Sequence, residues 1–417
     1  MDRDGTDRGT RVAHRAEPET PRSRMRGTAA AWQGRIFFAV GIALAILVRF
    51  AVFDFEGNDY RFFMGPWYDF IVNHGVFSAL GKRFSDYSPP YLYLLAVATL
   101  LPLKKLYAIK LVSVLFDFVL ATGVALTVRE RYRERFLPTC AFFVTLFAPT
   151  VLLNSALWGQ NDSIFTSFLV FCVLFLSRGR KGLALLSYGL ALAFKAQAIF
   201  LFPLLLALLL VRRLRLKHFL LIPVVYLALM IPSAIAGRPL GDLLLVYTRQ
   251  AGEYRHLTMG APNLYQWLPD NYALFRNAGI VFTVGVVLAI CALAVSARAA
   301  VGRDGIIRVA MVSVLVVPFC LPGMHERYFF PADLMAIVFA FYFPRFFLVP
   351  LVVCLASVFA YVPFLFGQTV ISPAHLSLLL LAAIVAVVAD WVQSLGLPGR
   401  EDEPEAGGIR ARSDHAA

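Results

Sequence analysis

Charge is scarce in this chain of 417 residues: Asp, Glu, Lys and Arg together make up 16% of it, against about a quarter in an ordinary soluble protein. So few charges cannot clothe a water-exposed surface of that size, which excludes a soluble globular fold. Cysteine is sparse as well. Cys140, Cys172, Cys291, Cys320 and Cys354 all fall in apolar blocks and share no CxxC spacing, which assigns them to core or lipid-facing packing rather than to disulfides or metal. There is no Walker-type phosphate loop and no dinucleotide fingerprint, so nucleotide-sugar chemistry on the cytoplasmic side lacks support. No internal repeat stands out. No signal peptide is evident either, because the first apolar block follows a polar leader of about thirty residues and lacks a small-residue cleavage pattern.

What remains is apolar. Hydrophobic residues are 59% of the chain and come in blocks near the length that crosses about 30 Å of hydrocarbon at 1.5 Å per residue. The class is therefore all-α: a polytopic integral membrane protein with about twelve spans. These are predicted at 34–53, 106–128, 137–153, 161–177, 181–195, 197–211, 218–236, 276–297, 306–321, 330–344, 346–365 and 375–395. The net charge of +13 resides in short loops between them, so its use is topology rather than nucleic-acid binding. The loops "RERYRERF", "SRGRK", "RRLRLKH", "SARAAVGRDG" and "PR" all land on one side, which the positive-inside rule makes the cytoplasm. Both termini share that side. Residues 1–33 read as a disordered cytoplasmic leader, 34–396 as the membrane domain and 397–417 as a disordered cytoplasmic tail.

One apolar run resists this scheme. Counting "PPYLYLLAVATLLP", residues 89–102, as a span would move "RERYRERF" and every later basic loop outside. It is short and bounded by prolines, so it is expected to lie in or dip into the outer interface.

The outer side then receives 54–105, 158–162, 237–275, 322–329 and 366–375, and these carry an unusual polar set. Asp54, Glu56, Asp59, Asp69 and Asp86 fall in the first loop, and "WGQND" places Gln160, Asn161 and Asp162 in a turn with no room for a solvated loop. A plainer role there is an interfacial Trp158 with a helix cap at Asp162. Arg238, Arg249, Glu253, Arg255 and His256 include cations that run against the positive-inside bias, so something other than topology keeps them. "FKAQ" sets Lys195 and Gln197 between two apolar runs, where snorkelling and ligand binding are both open. "HERYFFP" packs His325, Glu326 and Arg327 at the start of a span, suited to a phosphate. Lys110 and Asp117 lie one helical face apart and are expected to pair. Carboxylates among aromatics at a bilayer surface are partly desolvated, which favours general-base work, and guanidinium groups beside them suit a phosphate.

In this order the residues resemble the GT-C class of integral-membrane glycosyltransferases, and in particular bacterial proteins related to the second mannosyltransferase of GPI-anchor assembly. The carrying motifs are "GND" followed by aromatics and "PW", "DYSPPYLYLL", "WGQND", "ALAFKAQAIFLFP", "APNLYQWLP" and "MHERYFFPADL", spread over 57–334. The resemblance implies inverting transfer of a sugar, mannose as the family-weighted choice, from a polyprenyl-phosphate donor to a hydroxyl of a glycan, glycolipid or protein on the extracytoplasmic face of the inner membrane. It further implies a juxtamembrane helix after "SPP", a catalytic carboxylate at Asp59, and another acid at Asp162. Asp86 and Tyr87 of "DYSPP" are further candidates of the first loop. Arg327 stands where related lumenal enzymes have Lys. A clean Asp-x-Asp pair is absent, so Glu56 stays open as the base. Lys195, Arg255, His256 and Arg327 are candidates to meet the leaving phosphate. No cofactor is required; a divalent cation through Glu56 and Asp162 is compatible but not demanded. A polytopic transporter or flippase of lipid-linked sugars is the rival, expected to show mid-membrane ionisable groups and two related halves.

Overall fold

A computed structural model describes residues 21–296 and 302–396. The chain forms two compact units, 1–48 and 49–417. In the first, the described residues belong to one helix, Pro21–Phe50. It begins inside the segment expected to be a disordered leader: Pro21 is suited to a first helical position, and the Arg, Met and Ala that follow propagate a helix well. The first twenty residues and the C-terminal tail lie outside the described residues.

Every predicted span meets helix. Six helices among the described residues are long and apolar enough to cross a membrane, from Trp32–Phe50 to Pro373–Gly396. A seventh is broken: Phe136–Phe147 and Pro149–Leu157 meet at 44°, where Pro149 withholds the amide that would continue the first helix. The other predicted spans are shorter, at Asp162–Ser177, Lys181–Phe194, Ala196–Leu210 and Phe330–Tyr342, or carry three charges, as in Arg303–Cys320.

Burial sorts these helices into layers. Arg303–Cys320 and Phe330–Tyr342 are buried almost all round, which marks them as the centre of the bundle. Tyr272–Ser296 instead turns Leu274, Val281, Phe282, Val284 and Leu288 outward. Large apolar side chains in such a row are stable against lipid, not water. The basic loops meet one another through Arg178–Glu130 at 2.8 Å, Arg131–Asp304 at 3.1 Å and Arg303–Glu130 at 3.5 Å.

The first loop folds into the juxtamembrane helices Gly65–His74, Val76–Leu80 and Pro89–Ala98. Pro89–Ala98 has ten residues, roughly 15 Å at 1.5 Å per residue, and so is too short to cross. It is more enclosed than an interfacial helix would be. Pro89, Pro90, Tyr91, Leu92, Leu95, Ala96 and Ala98 are buried, against the Lys105–Arg129, Leu221–Ile235 and Lys181–Phe194 helices among others.

The expected Lys110–Asp117 pair does not form. Asp117 accepts from Arg49 Nε at 3.0 Å, Ser163 Oγ at 2.6 Å and Ser155 Oγ at 2.5 Å, all across helices. Lys110 Nζ donates to the carbonyls of Phe55 at 2.7 Å, Phe53 at 2.8 Å and Val52 at 3.3 Å. Those carbonyls belong to the turn that follows the first helix, which ends at Phe50, and lead directly to Gly57, Asn58 and Asp59, so one ammonium anchors the approach to the first-loop carboxylates. Lys110→Met leaves the buried carbonyls without that donor and is expected to lower stability by about 1–3 kcal/mol. Thermal unfolding in detergent checks this; an unchanged midpoint would show that water replaces the ammonium.

Candidate active site

A cavity of about 970 Å³ opens where the first loop meets the 158–162, 194–200, 246–254 and 321–328 segments. Two π turns set its geometry. Tyr60–Met64 starts immediately after Asp59, and Leu152–Leu157 ends immediately before Trp158. Each carries the i to i+5 pattern, seen in Trp158 N–H to the Leu153 carbonyl at 2.9 Å, that recurs at functional sites. Gly159 follows with φ of +84°, a left-handed conformation that side-chain-bearing residues rarely adopt. It turns the chain so that Trp158 and Gln160 both face Asp59.

Trp158 Nε1 donates to Asp59 Oδ2 at 2.9 Å, and Gln160 Nε2 donates to the same oxygen. Tyr87 OH donates to Gln160 Oε1 at 3.2 Å, which fixes the amide with its NH₂ toward Asp59. Burial keeps the Tyr87 phenol well above its ordinary pKa, so it remains a donor. No hydrogen bond among the described residues falls on Asp59 Oδ1. Trp158 is fully buried against Tyr361 and Phe364, and is not the interfacial residue its motif suggests.

Asp162 is the first residue of the Asp162–Ser177 helix and makes no side-chain cap. Its carboxylate accepts from Lys195 Nζ at 2.5 Å and from Asn154 Nδ2 at 2.8 Å, with Arg327 Nε at 3.7 Å. It sits behind the cavity wall, which Lys195 and Arg327 line. Lys195 is 8% exposed and so is held inside instead of snorkelling.

The "HERY" segment enters through a two-residue parallel strand, Met324–His325, paired with Thr258–Met259. Asn263, Tyr265 and Trp267 of "APNLYQWLP" brace that strand's surroundings. Tyr265 OH donates to the Cys320 carbonyl at 2.7 Å and Trp267 Nε1 to Ser377 Oγ at 2.8 Å. Arg327 pairs with Glu326 at 2.9 Å and lies over the Trp158 ring at 5.5 Å. Burial alone would raise the Glu326 carboxyl, but His325 and Arg327 outweigh it and hold it below the usual range. Burial likewise opposes the Arg327 charge, and Glu326, Tyr87, Asp59 and Asp162 more than offset it. His325 lies edge-on to Tyr254 at 5.4 Å.

Of the residues expected from sequence, Asp59, Asp86, Tyr87, Gln160, Lys195, Gln197, His325, Glu326 and Arg327 all line the cavity. Three do not. Glu56 points to the exterior and pairs with exposed Arg61 at 3.6 Å. Arg255 is exposed and outside the lining. His256 pairs with Asp270 at 2.6 Å on the surface, where the Leu257 amide and His256 hold the Asp270 carboxyl low. A cation site from Glu56 and Asp162 is therefore not assembled. Among the described residues no group of three or more His, Cys, Asp or Glu is placed to hold a metal. Arg83 and Arg276 also line the cavity, and nothing in their sequence surroundings marks them.

No protein-family model matches the chain, and no curated protein matches it. Among solved structures it is similar to the crystal structure of ArnT from Cupriavidus metallidurans bound to undecaprenyl phosphate. The TM-score is 0.52 at 16% identity, over 86% of this chain and 75% of that one. The two share a fold, in keeping with the polytopic, all-α architecture expected from the sequence.

Proposed function

We propose that the chain is an inverting glycosyltransferase that moves a sugar, mannose as first choice, from a polyprenyl-phosphate donor to a hydroxyl acceptor. The observation that carries this is Asp59: a carboxylate on the wall of a large cavity, its Oδ2 held by Trp158 and Gln160, with the paired cations Lys195 and Arg327 on the same wall. Its Oδ1 takes the proton of the acceptor hydroxyl as that oxygen bonds to the anomeric carbon. The bond from that carbon to the phosphate oxygen breaks on the opposite face, so configuration inverts. The electron pair leaves with the polyprenyl phosphate, whose developing charge Lys195 and Arg327 meet. The structure neighbour's bound undecaprenyl phosphate supports a donor of this class. The positive-inside pattern supports a cavity on the extracytoplasmic face of the inner membrane, with both termini in the cytoplasm.

A flippase needs a path with two mouths, whereas the lining residues here gather at the loops of one end. The deciding experiment incubates purified protein with a panel of polyprenyl-phosphate sugars and a hydroxyl acceptor mixture, and identifies products by mass spectrometry. A single glycosylated product class is expected. If no donor yields product while labelled lipid-linked sugar crosses proteoliposomes, the transporter reading replaces this one.

A further inference from the structure

At the end of the bundle away from the cavity the basic loops are tied to acids, with one exception. Arg131 binds Asp304, Arg178 and Arg303 share Glu130, and Arg345 joins Arg308 on Asp390. In "RRLRLKH", Arg212, Arg213, Arg215 and Lys217 are all exposed, and no ion pair among the described residues includes them. The helices that carry this loop or pack beside it, Ala196–Leu210, Leu216–Ile235, Lys181–Phe194 and Tyr272–Ser296, contain neither Asp nor Glu. Arg303–Cys320 also packs on the first of them, and its Asp304 is the acid that Arg131 already holds. Topology asks for positive charge on this side of the membrane, but it does not ask that the charge stand unpaired.

The turn presents these cations at a conformational cost. The helix before it closes with Arg212 N–H on the Leu209 carbonyl at 3.0 Å and Arg213 N–H on the Leu208 carbonyl at 2.9 Å, a closure whose first position is usually glycine. Here that position is Arg212 at φ of +60°, the only non-glycine residue with positive φ among those described, and the conformation strains any side-chain-bearing residue. Leu214 is buried in the core beneath, and Arg215 N–H donates to His218 Nδ1 at 3.1 Å, so the turn is fixed with its cations outward. From it the Leu216–Ile235 helix runs for 20 residues, roughly 30 Å, toward Arg238 on the cavity wall. Leu216, Leu220, Val224, Leu227, Ile231 and Ile235 are each 50–71% exposed and, three or four positions apart, share one helical face. The cations thus cap a lipid-facing stripe that crosses the whole apolar layer.

We infer that this turn binds the phosphodiester of an anionic glycerophospholipid in the leaflet beside it, which the positive-inside rule makes the cytoplasmic one. Guanidinium forks match the paired oxygens of the phosphate, and the acyl chains lie along the stripe that starts at Leu216. The stripe is what favours a lipid over a soluble polyanion: a nucleic acid or an acidic protein offers charge to the cations but nothing to Leu216 and Leu220. A zwitterionic head group brings its own ammonium and leaves the cations unmatched. This surface lies at the opposite end of the bundle from Asp59, so the lipid it holds is a resident of the fold, not a substrate, and the inference stands apart from the transferase reading.

The test is native mass spectrometry of the full-length protein in nonionic detergent, titrated with dioleoylphosphatidylglycerol or dioleoylphosphatidylcholine. The wild type is expected to hold phosphatidylglycerol about tenfold or more tighter than phosphatidylcholine. Replacing Arg213, Arg215 and Lys217 together by Gln is expected to lower that affinity by about tenfold or more. Arg133→Gln with Arg135→Gln, which removes exposed charge from another basic loop of the same face, is expected to change it by less than about twofold. Glycerophosphoglycerol, the head group without its chains, is expected to leave the lipid bound at about a hundredfold excess, since exposed ion pairs alone are weak. Arg212→Gly removes a charge and the positive-φ strain at once. It is expected to raise the thermal midpoint and still to weaken phosphatidylglycerol by about threefold or more, which reads the charge in a protein no less stable than the wild type. Equal retention of the two lipids, a loop variant or Arg212→Gly that keeps full affinity, a matching loss in the Arg133 and Arg135 control, or displacement by the bare head group overturns the inference.

Discussion

Asp59→Asn is expected to lower sugar transfer by about a hundred- to ten-thousand-fold, the range that a positioned general base contributes, with little change in donor binding. The amide retains an oxygen for the Trp158 and Gln160 donors, which reach one oxygen of the native carboxylate. It cannot take a proton at the other. Glu56→Gln is expected to leave transfer near wild type, because Glu56 faces outward against Arg61 and does not line the cavity. Single-turnover rates with a polyprenyl-phosphate sugar, alongside donor affinity, measure both variants. A slow Glu56→Gln beside a fast Asp59→Asn would reverse the two roles and with them the mechanism.

Asp162→Ala carries the second large expected effect, on stability as much as on rate. The carboxylate holds Lys195 at 2.5 Å and Asn154 at 2.8 Å, with Arg327 at 3.7 Å, and side-chain exposure is 2% for Asp162 and 10% for Lys195. Removing one partner of a buried ion pair leaves the other charge uncompensated and costs about 3–5 kcal/mol. The thermal midpoint in detergent should fall accordingly. Removing both charges with Asp162→Ala and Lys195→Met should restore part of the loss, because the uncompensated ammonium is then gone. If the double variant is less stable than the single, the cost comes from a packing void instead of a stranded charge.

The bundle was legible from hydrophobic runs and loop charge because lipid admits few alternatives to the helix. Even "PPYLYLLAVATLLP", too short to cross, was separable by where the basic loops would otherwise fall. Much of the site was legible too, since Asp59, "WGQND", Lys195 and "HERY" are polar where lipid-facing sequence should not be. The losses have a common cause: sequence spacing says which residues are near in the chain, not which way they face. Lys110 and Asp117 share a helix, yet Asp117 binds Arg49, which is 68 residues away in the chain, and Lys110 binds carbonyls of the preceding segment. Glu56 stands three positions from Asp59 and faces the other way. Arg83 and Arg238 come together only through the close approach of Gly81 to Ala236, a backbone contact without a sequence signature. The early start of the first helix at Pro21 shows the reverse case, in which polar composition hid good helix formers.

The π turns at Tyr60–Met64 and Leu152–Leu157 carry a consequence for how such a site can be lost or moved. Each amounts to one residue more than an α-helix of the same rise would hold, and one residue is worth about 100° of helical phase. Trimming a residue from Leu152–Leu157 would let the helix relax to ordinary winding and swing the indole of Trp158 away from the first loop, while the apolar stripes of the bundle stayed in register. In this protein the aim of the cavity wall at Trp158 is a matter of rotational phase, adjustable one residue at a time and independent of the scaffold that holds it in the membrane.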